Sequence, residues 1–281
     1  HALAYDDSRV HPLSTAPHSF YKPLEAAQTA LIVDTGRPPP MAVSQEAHAG
    51  CLSFELAWKQ HRLVVNCGLP AVNRETWRQV ARATAAHSTV TVNERSSCQF
   101  LESGSVRRLL AGVPIIAGPR DVRSARDEQD GVVVMRASHD GYAAEYDLVH
   151  TRAIRLSADG RALDGEDSFT AAAGGEPGGS APDDYAVRFH LHPSIKASRL
   201  SDGRGVILLL PDRDVWTFAT LAEKVELEES VYLSGPDGPR RAVQIVIYGH
   251  ARKTPRIRWS FSHTPPPPAG SRPKRPDEPE L

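Results

Sequence analysis

The residues that could carry chemistry in this sequence centre on one histidine, His87. It directly precedes residues Ser88 to Asn93, where polar and apolar side chains alternate and most residues are β-branched. That pattern predicts a strand, so His87 lies where a loop enters a strand. A side chain at such a place is aimed by a rigid element and can still meet solvent or a ligand. We therefore take His87 as the centre of the candidate site.

Two other segments bring possible metal ligands toward His87. His48 precedes two apolar runs joined by a short link, which predicts an antiparallel hairpin, and Asn66 and Cys67 end that hairpin. Imidazole and thiolate are common zinc ligands, so His48, Asn66 and His87 could together hold a divalent metal, with Cys67 as a substitute ligand. The alternative is that these are polar residues at strand ends, hydrogen-bonded and nothing more.

A second cluster lies in the middle of the chain. His139 is followed by Asp140-Gly141, a dipeptide typical of tight turns, and then by Tyr142. A histidine and a tyrosine beside a turn could do acid–base work or hold a sugar hydroxyl. The alternative is a hairpin turn with an aromatic side chain packed on it. His190 and His192 share one face of a predicted strand and form either half of a metal site or a polar outer face.

The elements that must position these side chains are almost all strands. Helical periodicity is nearly absent, apart from a possible short helix over residues 74–85. Many short strands separated by turn signals predict an all-β fold, a large β-sandwich of two antiparallel sheets packed face to face. A barrel is the second possibility. The predicted strands cover residues 30–34, 52–56, 62–66, 88–93, 105–110, 113–117, 132–137, 148–156, 162–164, 185–191, 195–200, 206–210, 215–218, 225–232, 242–248 and 257–261.

The rest of the chain is expected to be loop or linker. Residues 1–26 carry several prolines and little periodicity, so we expect a linker or the remnant of a preceding domain. The sandwich is expected over residues 27–262, and the proline- and charge-rich residues 263–281 are expected to be disordered. Within the sandwich, the charged run 127–130 is expected in a solvated loop, and the glycine-rich residues 170–183 in a flexible one.

Composition argues against several classes of partner. The 33 basic and 34 acidic residues leave a net charge of −1, which points to neither nucleic acid nor an anionic membrane surface. No apolar run reaches the ~18 residues of a transmembrane helix, and no signal peptide is visible. The three cysteines include no CxxC pair and do not predict a disulfide framework.

Three motifs in a fixed order resemble one known family. They are residues 48–56 (HAGCLSFEL), residues 62–68 (RLVVNCG) and residues 82–90 (RATAAHSTV), and the later residues 137–142 with His150 and Arg152 fit the same pattern. Together they are similar to the C-terminal half of the heparinase II/III-like polysaccharide lyases, over roughly residues 20–262. The resemblance implies a large β-sandwich, in agreement with the strand pattern. It also implies that a preceding α/α-toroid domain, absent from this chain, supplies part of the active-site cleft.

The resemblance carries a chemistry with it. Members of that family cleave uronic-acid-containing polysaccharides by β-elimination. By resemblance, we expect catalytic roles for His87 and for Arg82, which would neutralise the substrate carboxylate, and substrate contacts from His139 and Tyr142. The resemblance further implies a zinc ion held at the positions of His48, Asn66 and His87. It also implies an acidic polysaccharide as partner and a periplasmic or cell-envelope location.

Departures from the family pattern keep other functions open. Asn66 stands where the family has a metal-binding aspartate, Gly50 where an aspartate is common, and Glu46 where some members have a histidine. A neutral amide is a weaker zinc ligand than a carboxylate. The sequence therefore predicts the sandwich part of a polysaccharide lyase, inactive in isolation. The alternatives are a non-catalytic carbohydrate-binding or structural sandwich and a plain scaffold with a structural metal.

Overall fold

Two antiparallel sheets of eight strands each pack face to face, in a computed structural model that describes residues 21–70, 75–101, 113–235 and 238–265. The predicted all-β sandwich is therefore confirmed. Strands are numbered β1 to β18 in chain order. Within these described residues, the helix α1 (Glu75–Arg82), the short helix α2 (Ala143–Tyr146) and the 3₁₀ turns Met41–Val43 and Thr84–Ala86 accompany the strands.

The first sheet carries the candidate site. Its strands follow one another in the order β1-β2-β3-β4-β12-β17-β16, and β5 also pairs with β12. The strands are β1 (Tyr21–Ala26), β2 (Thr29–Asp34), β3 (Phe54–Trp58), β4 (His61–Val65), β5 (Val90–Val92), β12 (Asp184–Leu191), β16 (Glu226–Tyr232) and β17 (Arg240–His250).

The second sheet packs against the inner face of the first. Its order is β13-β14-β15-β18-β11-β10-β9-β8, and every pairing is antiparallel. The strands are β8 (Val122–Gln129), β9 (Val132–Tyr142), β10 (Leu148–Leu156), β11 (Ala162–Thr170), β13 (Lys196–Arg199), β14 (Gly205–Leu209), β15 (Val215–Thr220) and β18 (Arg256–Thr264). A separate ribbon pairs β6 (Gln99–Phe100) with β7 (Ile115–Ala117).

The core lies between the inner faces of the two sheets and is rich in aromatic rings. Period-two alternation places Phe54 and Phe189 of the first sheet opposite Phe218, Trp259 and Phe261 of the second, and all five are buried. The rings of Phe54 and Trp259 stack with centroids 5.5 Å apart. Aromatic pairs of this kind contribute about 0.5–1.5 kcal/mol beyond their buried area. The alternation of polar and apolar residues therefore predicts these strands correctly, because each strand presents one apolar face to this core.

Two predicted boundaries were wrong. Residues 21–26, expected to belong to a linker, form β1 and pair with β2 along their whole length, with Pro23 tolerated because β1 is an edge strand. At the other end, β18 continues to Thr264, two residues past the expected end of the sandwich. Predictions for residues 1–20, 105–110 and 266–281 fall outside the described residues.

Two predicted loops were wrong as well. Asp140-Gly141 does not form a turn but continues β9, and the chain reverses after Tyr142 through α2, with Asp147 in the left-handed region at φ 56°. The charged run 127–130, expected in a loop, largely belongs to β8, an edge strand paired with β9. Charges on an edge strand discourage pairing with other chains, so a polar sequence there is compatible with a strand.

The loop at residues 171–183 lacks strands and helices, as predicted. The side chain of Arg252 is hydrogen-bonded to this loop. The guanidinium of Arg252 donates to the carbonyls of Gly178 and Ala181 at 2.7 Å each and to Tyr146 at 3.2 Å. Among the described residues, no helix is long and apolar enough to cross a membrane.

The packing of Trp259 against β11 gives a direct test of the core. A Cβ atom at Gly165 would overlap the indole ring of Trp259, so Gly165→Ala should cost about 1–3 kcal/mol in the free energy of unfolding. Gly178 has no neighbour within 4 Å of a built Cβ, and Gly178→Ala is the matched control. Urea unfolding of both variants checks this, and equal stability of the two would contradict the packing.

Candidate functional site

Two histidine rings meet in the segments that lead into β3 and β5 of the first sheet. His48 lies in the loop before β3, and His87 follows the 3₁₀ turn Thr84–Ala86 that leads into β5. His48 Nδ1 and His87 Nε2 are 3.1 Å apart, and the rings stand edge to face at 88°. The two histidines that the sequence placed in one candidate site are thus in direct contact, and we call them the histidine pair.

The histidine pair holds fewer protons than its contacts require. His87 Nδ1 faces the Ala83 carbonyl at 2.8 Å, and His48 hydrogen-bonds the Ala81 carbonyl. Two neutral rings carry two N–H groups, but these two contacts and the one between the rings would use three. A proton or a metal ion between His48 Nδ1 and His87 Nε2 would satisfy the third contact, for which no N–H group is left. Burial, then the neighbouring His48, lowers the pKa of His87 to about 3, so an extra proton is disfavoured.

Gly50 explains how the His87 ring fits. A Cβ atom at position 50 would lie 2.8 Å from His87 Cδ2, closer than side chains normally approach. An aspartate at this position, which the family pattern often has, would collide with the ring as it lies here. The departure at Gly50 is therefore tied to the position of His87.

Asn66 and Cys67 do not join the histidine pair. Asn66 Oδ1 accepts the Ser88 N–H at 2.9 Å, so its amide orders the segment after His87. Cys67 Sγ lies 3.5 Å from His190 Nδ1, and burial raises the pKa of the thiol to about 11. Within the described residues, no group of three His, Cys, Asp or Glu side chains could hold a metal ion. The histidine pair therefore offers only two facing nitrogens to a metal ion, and the predicted ligand role of Asn66 gains no support.

Arg82 is buried and holds the backbone around the histidine pair. Its guanidinium donates to the carbonyls of Ala47 at 2.7 Å, Val113 at 2.7 Å and Ser44 at 2.8 Å. It therefore fixes the loop that carries His48. The predicted contact with a substrate carboxylate would require these bonds to break.

A cleft opens beside His48, with a volume of about 280 Å³. His48 and Asp34 lie half-buried in it, and Tyr21, Arg37 and Glu46 are exposed at its rim. The pKa of Tyr21 is raised by Asp34, its partner across β1 and β2, and by burial, so its phenol stays protonated. We call this the His48 cleft. Its remaining lining is formed by Gly36, Pro38, Pro39, Ala47, Cys51 and Cys98.

The second predicted cluster is a chain of hydrogen bonds inside the core. Gly141 N–H donates to His139 Nδ1 at 3.0 Å, which leaves His139 Nε2 to donate to His150 Nδ1 at 3.3 Å. His150 Nε2 then donates to Asp167 Oδ1 at 2.7 Å. Burial, then the neighbouring His150, lowers the pKa of His139, and burial also lowers that of His150, so both rings are neutral.

Asp167 receives a full set of donors in this network. Arg152 binds it through two nitrogens at 2.8 and 3.0 Å, and Trp259 Nε1 donates to it at 2.8 Å. Burial alone would raise the pKa of Asp167, but Arg152 and His150 hold it well below its usual range. We call His139, His150, Arg152, Asp167 and Trp259 the buried charge network.

The buried charge network reaches the candidate site through Arg152. Its Nη1 donates to the carbonyl of Leu52 at 2.9 Å and to that of Ser88 at 2.7 Å. Leu52 follows the His48 loop, and Ser88 follows His87. The second sheet therefore fixes both segments that carry the histidine pair.

His139 and Tyr142 lie between the sheets rather than in a cleft. Both are about 1% exposed, and the Tyr142 hydroxyl donates to the Val90 carbonyl at 2.7 Å. The predicted substrate contacts therefore gain no support from their position. Four further residues, Tyr21, Asp34, Arg37 and Asp167, were not predicted. Asp167 had a signal, because it lies in phase with the core residues Leu163 and Phe169 of β11.

Solved structures share this architecture. HepC, a heparan sulfate lyase from Pedobacter heparinus, superposes with a TM-score of 0.63 at 14% identity, over 89% of this chain and 37% of that one. A heparinase III superposes with a TM-score of 0.65 at 10% identity, over 88% of this chain and 35% of that one. These likenesses define the class of fold, the β-sandwich of heparinase-type lyases.

The sequence comparison gives the family. A model of the heparinase II/III-like C-terminal domain matches residues 8–260, and the chain belongs to that family. FtsZ-localized protein C of Caulobacter vibrioides is 32% identical over 266 residues, which is 93% of this chain and 45% of that protein. The chain thus spans less than half the length of this relative.

The buried charge network predicts a specific loss on mutation. Asp167→Asn leaves Arg152 buried without its counter-charge, so the free energy of unfolding should fall by about 3–5 kcal/mol. Asp164→Asn, which removes a partner of Arg155 on the exposed face, is the control and should cost about 1 kcal/mol or less.

The pH dependence of the same variants adds a second measurement. The pKa of Asp167 is depressed in the folded state, so its contribution is present above the unfolded value of about 3.9 and is lost as pH falls below it. Urea unfolding between neutral and acid pH should show a shallower decline for Asp167→Asn than for the wild type. Parallel pH curves would contradict the network.

Proposed function

We propose that this chain is the glycan-binding sandwich part of a protein that cleaves uronate-containing polysaccharides by β-elimination. The observation that carries the proposal is the lining of the His48 cleft. The protonated phenol of Tyr21, the exposed guanidinium of Arg37 and the ring of His48 all line this one cleft. The family match and the shared fold support a polysaccharide-lyase relationship. The chemistry of the lining supports binding of an acidic sugar.

Two exposed groups of the cleft, Arg37 and Tyr21, have proposed roles. Arg37 pairs with the uronate carboxylate, which acidifies the neighbouring C–H bond. A base takes that proton, the electron pair forms a carbon–carbon double bond, and the bond to the leaving sugar oxygen breaks. Tyr21 gives its proton to that oxygen. The base is not assigned to this chain, because neither ring nitrogen of His48 is free of a partner.

His87 and Arg82 act indirectly in this proposal. His87 is 6% exposed and holds the His48 ring, and Arg82 holds the His48 backbone. Both are therefore positioning residues rather than groups that touch substrate. The catalytic roles first predicted for them are replaced by support of His48.

A second function is favoured by the relative named for FtsZ. Its 32% identity extends over nearly the whole chain, whereas the lyases share only 10–14%. The sandwich would then be a non-catalytic part of a protein that localises with FtsZ. Four of the predicted site residues, Arg82, His87, His139 and Tyr142, are buried and hydrogen-bonded internally, which is compatible with this function.

Glycan binding separates the two functions. Calorimetry with heparan sulfate, heparosan and alginate should show binding to the purified chain, weakened about tenfold by Arg37→Ala because a charge-assisted contact is lost. Arg199→Ala, on the second sheet, is the control. In a lyase-active form of the protein, Tyr21→Phe should abolish formation of unsaturated uronate, which is followed by its ultraviolet absorbance. No binding to any of these glycans, together with co-sedimentation with FtsZ filaments, would replace the first function by the second.

Zinc remains a proposal of its own. The facing nitrogens of the histidine pair suit two positions of a tetrahedral site, where ligand atoms are separated by about 3.3 Å. Zinc would order the pair by joining two lone pairs that otherwise oppose each other. Metal analysis of the purified chain should find up to one zinc per molecule, lost in His48→Ala. A metal-free protein with an unchanged melting temperature after chelation would contradict zinc binding.

A further inference from the structure

The His48 cleft contains a carboxylate that its surroundings do not neutralise. Asp34 ends β2, and its Oδ1 accepts the Gly36 N–H at 2.9 Å. Burial raises the pKa of Asp34 to about 6, and the Gly36 N–H is what opposes this shift. A buried carboxylate is costly unless a cation or several donors meet it. A positively charged group on a ligand would therefore bind favourably beside Asp34 in the cleft.

The basic side chains near the cleft are directed elsewhere. Arg82 donates to three backbone carbonyls, and Arg78 forms an ion pair with Glu46. Arg37 lies at the exposed rim, where its Nη1 is 3.5 Å from the Arg120 carbonyl. His48 Nδ1 faces His87 Nε2 at 3.1 Å, so this nitrogen already has a partner within the protein. The interior of the cleft is thus negative, and its positive group lies at the rim.

This charge pattern differs from what a heavily sulfated chain requires. A sulfate placed in the cleft would lie near the Asp34 carboxylate, which no cation among the described residues neutralises, and like charges at close range repel. One carboxylate at the rim, however, could pair with Arg37. The volume of about 280 Å³ lies at the small end of ligand pockets, so the cleft admits about one sugar unit.

We propose that the His48 cleft selects a glycan in which a hexosamine with a free amino group neighbours a uronate. The ammonium group enters the cleft and pairs with Asp34, with Glu46 at the rim as a second acceptor. The uronate carboxylate stays outside and pairs with Arg37. This inference rests on the proposed glycan-binding function and narrows its substrate to sugars that carry both charges.

Three oligosaccharides with one backbone test this selection. They are heparosan fragments of equal length whose hexosamine carries a free amine, an N-acetyl group or an N-sulfo group, and binding to the purified chain is measured by calorimetry at neutral pH. The free amine should bind about tenfold more tightly than the N-acetyl form, and the N-sulfo form most weakly. Tighter binding of the N-sulfo form would overturn the inference and leave the proposed function standing. Failure of all three to bind would remove both.

Single substitutions identify which carboxylate causes the preference for the free amine. Asp34→Asn should abolish the preference for the free amine over the N-acetyl form, so that the two oligosaccharides bind with similar affinity. Glu46→Gln, at a side chain that is 68% exposed, should reduce the preference by a smaller factor without affecting folding. Asp164→Asn, on the outer face of the second sheet, is the charge control and should change neither. A preference that survives both Asp34→Asn and Glu46→Gln would contradict the assignment.

The source of the ammonium group needs its own comparison. Propylamine and free glucosamine carry the same charge as the hexosamine without the neighbouring uronate. Both should bind more weakly than the free-amine oligosaccharide, because neither has a carboxylate for Arg37. Equal affinity for propylamine and the oligosaccharide would mean a general cation site and would overturn the selection of a sugar.

Discussion

The ion pair between Arg152 and Asp167 is the interaction on which the candidate site depends. Both side chains are fully buried, and both belong to the second sheet. Such a pair stabilises a protein only when further hydrogen bonds satisfy its remaining donors and acceptors. Here His150 and Trp259 complete the carboxylate, and the carbonyls of the first sheet's loops complete the guanidinium. The pair therefore couples core packing to the position of the cleft.

This coupling explains why so many polar residues of the family motifs are buried. Ser88 shows the arrangement: its carbonyl binds Arg152, its N–H binds Asn66, and its hydroxyl donates to Val65. Each bond fixes the backbone next to His87. The family motifs thus largely contain residues whose hydrogen bonds join the two sheets and the His48 loop. The groups that line the His48 cleft lie in less distinctive sequence, at Tyr21, Asp34 and Arg37.

Strand periodicity predicted the architecture because each strand buries one face, as in Leu148–Leu156, whose predicted limits match β10. It failed where polar residues are paired rather than solvated. Asp140-Gly141 looked like a turn, but the Asp140 carboxylate accepts the backbone N–H groups of Arg120 and Asp121 while the chain stays extended. The contact of His48 with His87 could be predicted from the hairpin and the strand start. The position of Asp34 beside them could not, because it depends on how β1 and β2 join the sheet.

Several residues predicted for the site are buried, and burial favours a structural role over contact with a ligand. A histidine or arginine in a motif that resembles the family's suggests catalysis, yet Arg82 and His139 form their hydrogen bonds with other groups of the protein. The candidate site therefore has a buried part, which positions the histidine pair, and an exposed part, which lines the His48 cleft. Nitrogen NMR of the His48 and His87 rings in wild type and in folded Arg152→Lys tests this division most directly. Loss of the two carbonyl bonds should shift both ring signals and raise the pKa of His87 toward its ordinary value, whereas unchanged rings would contradict the account.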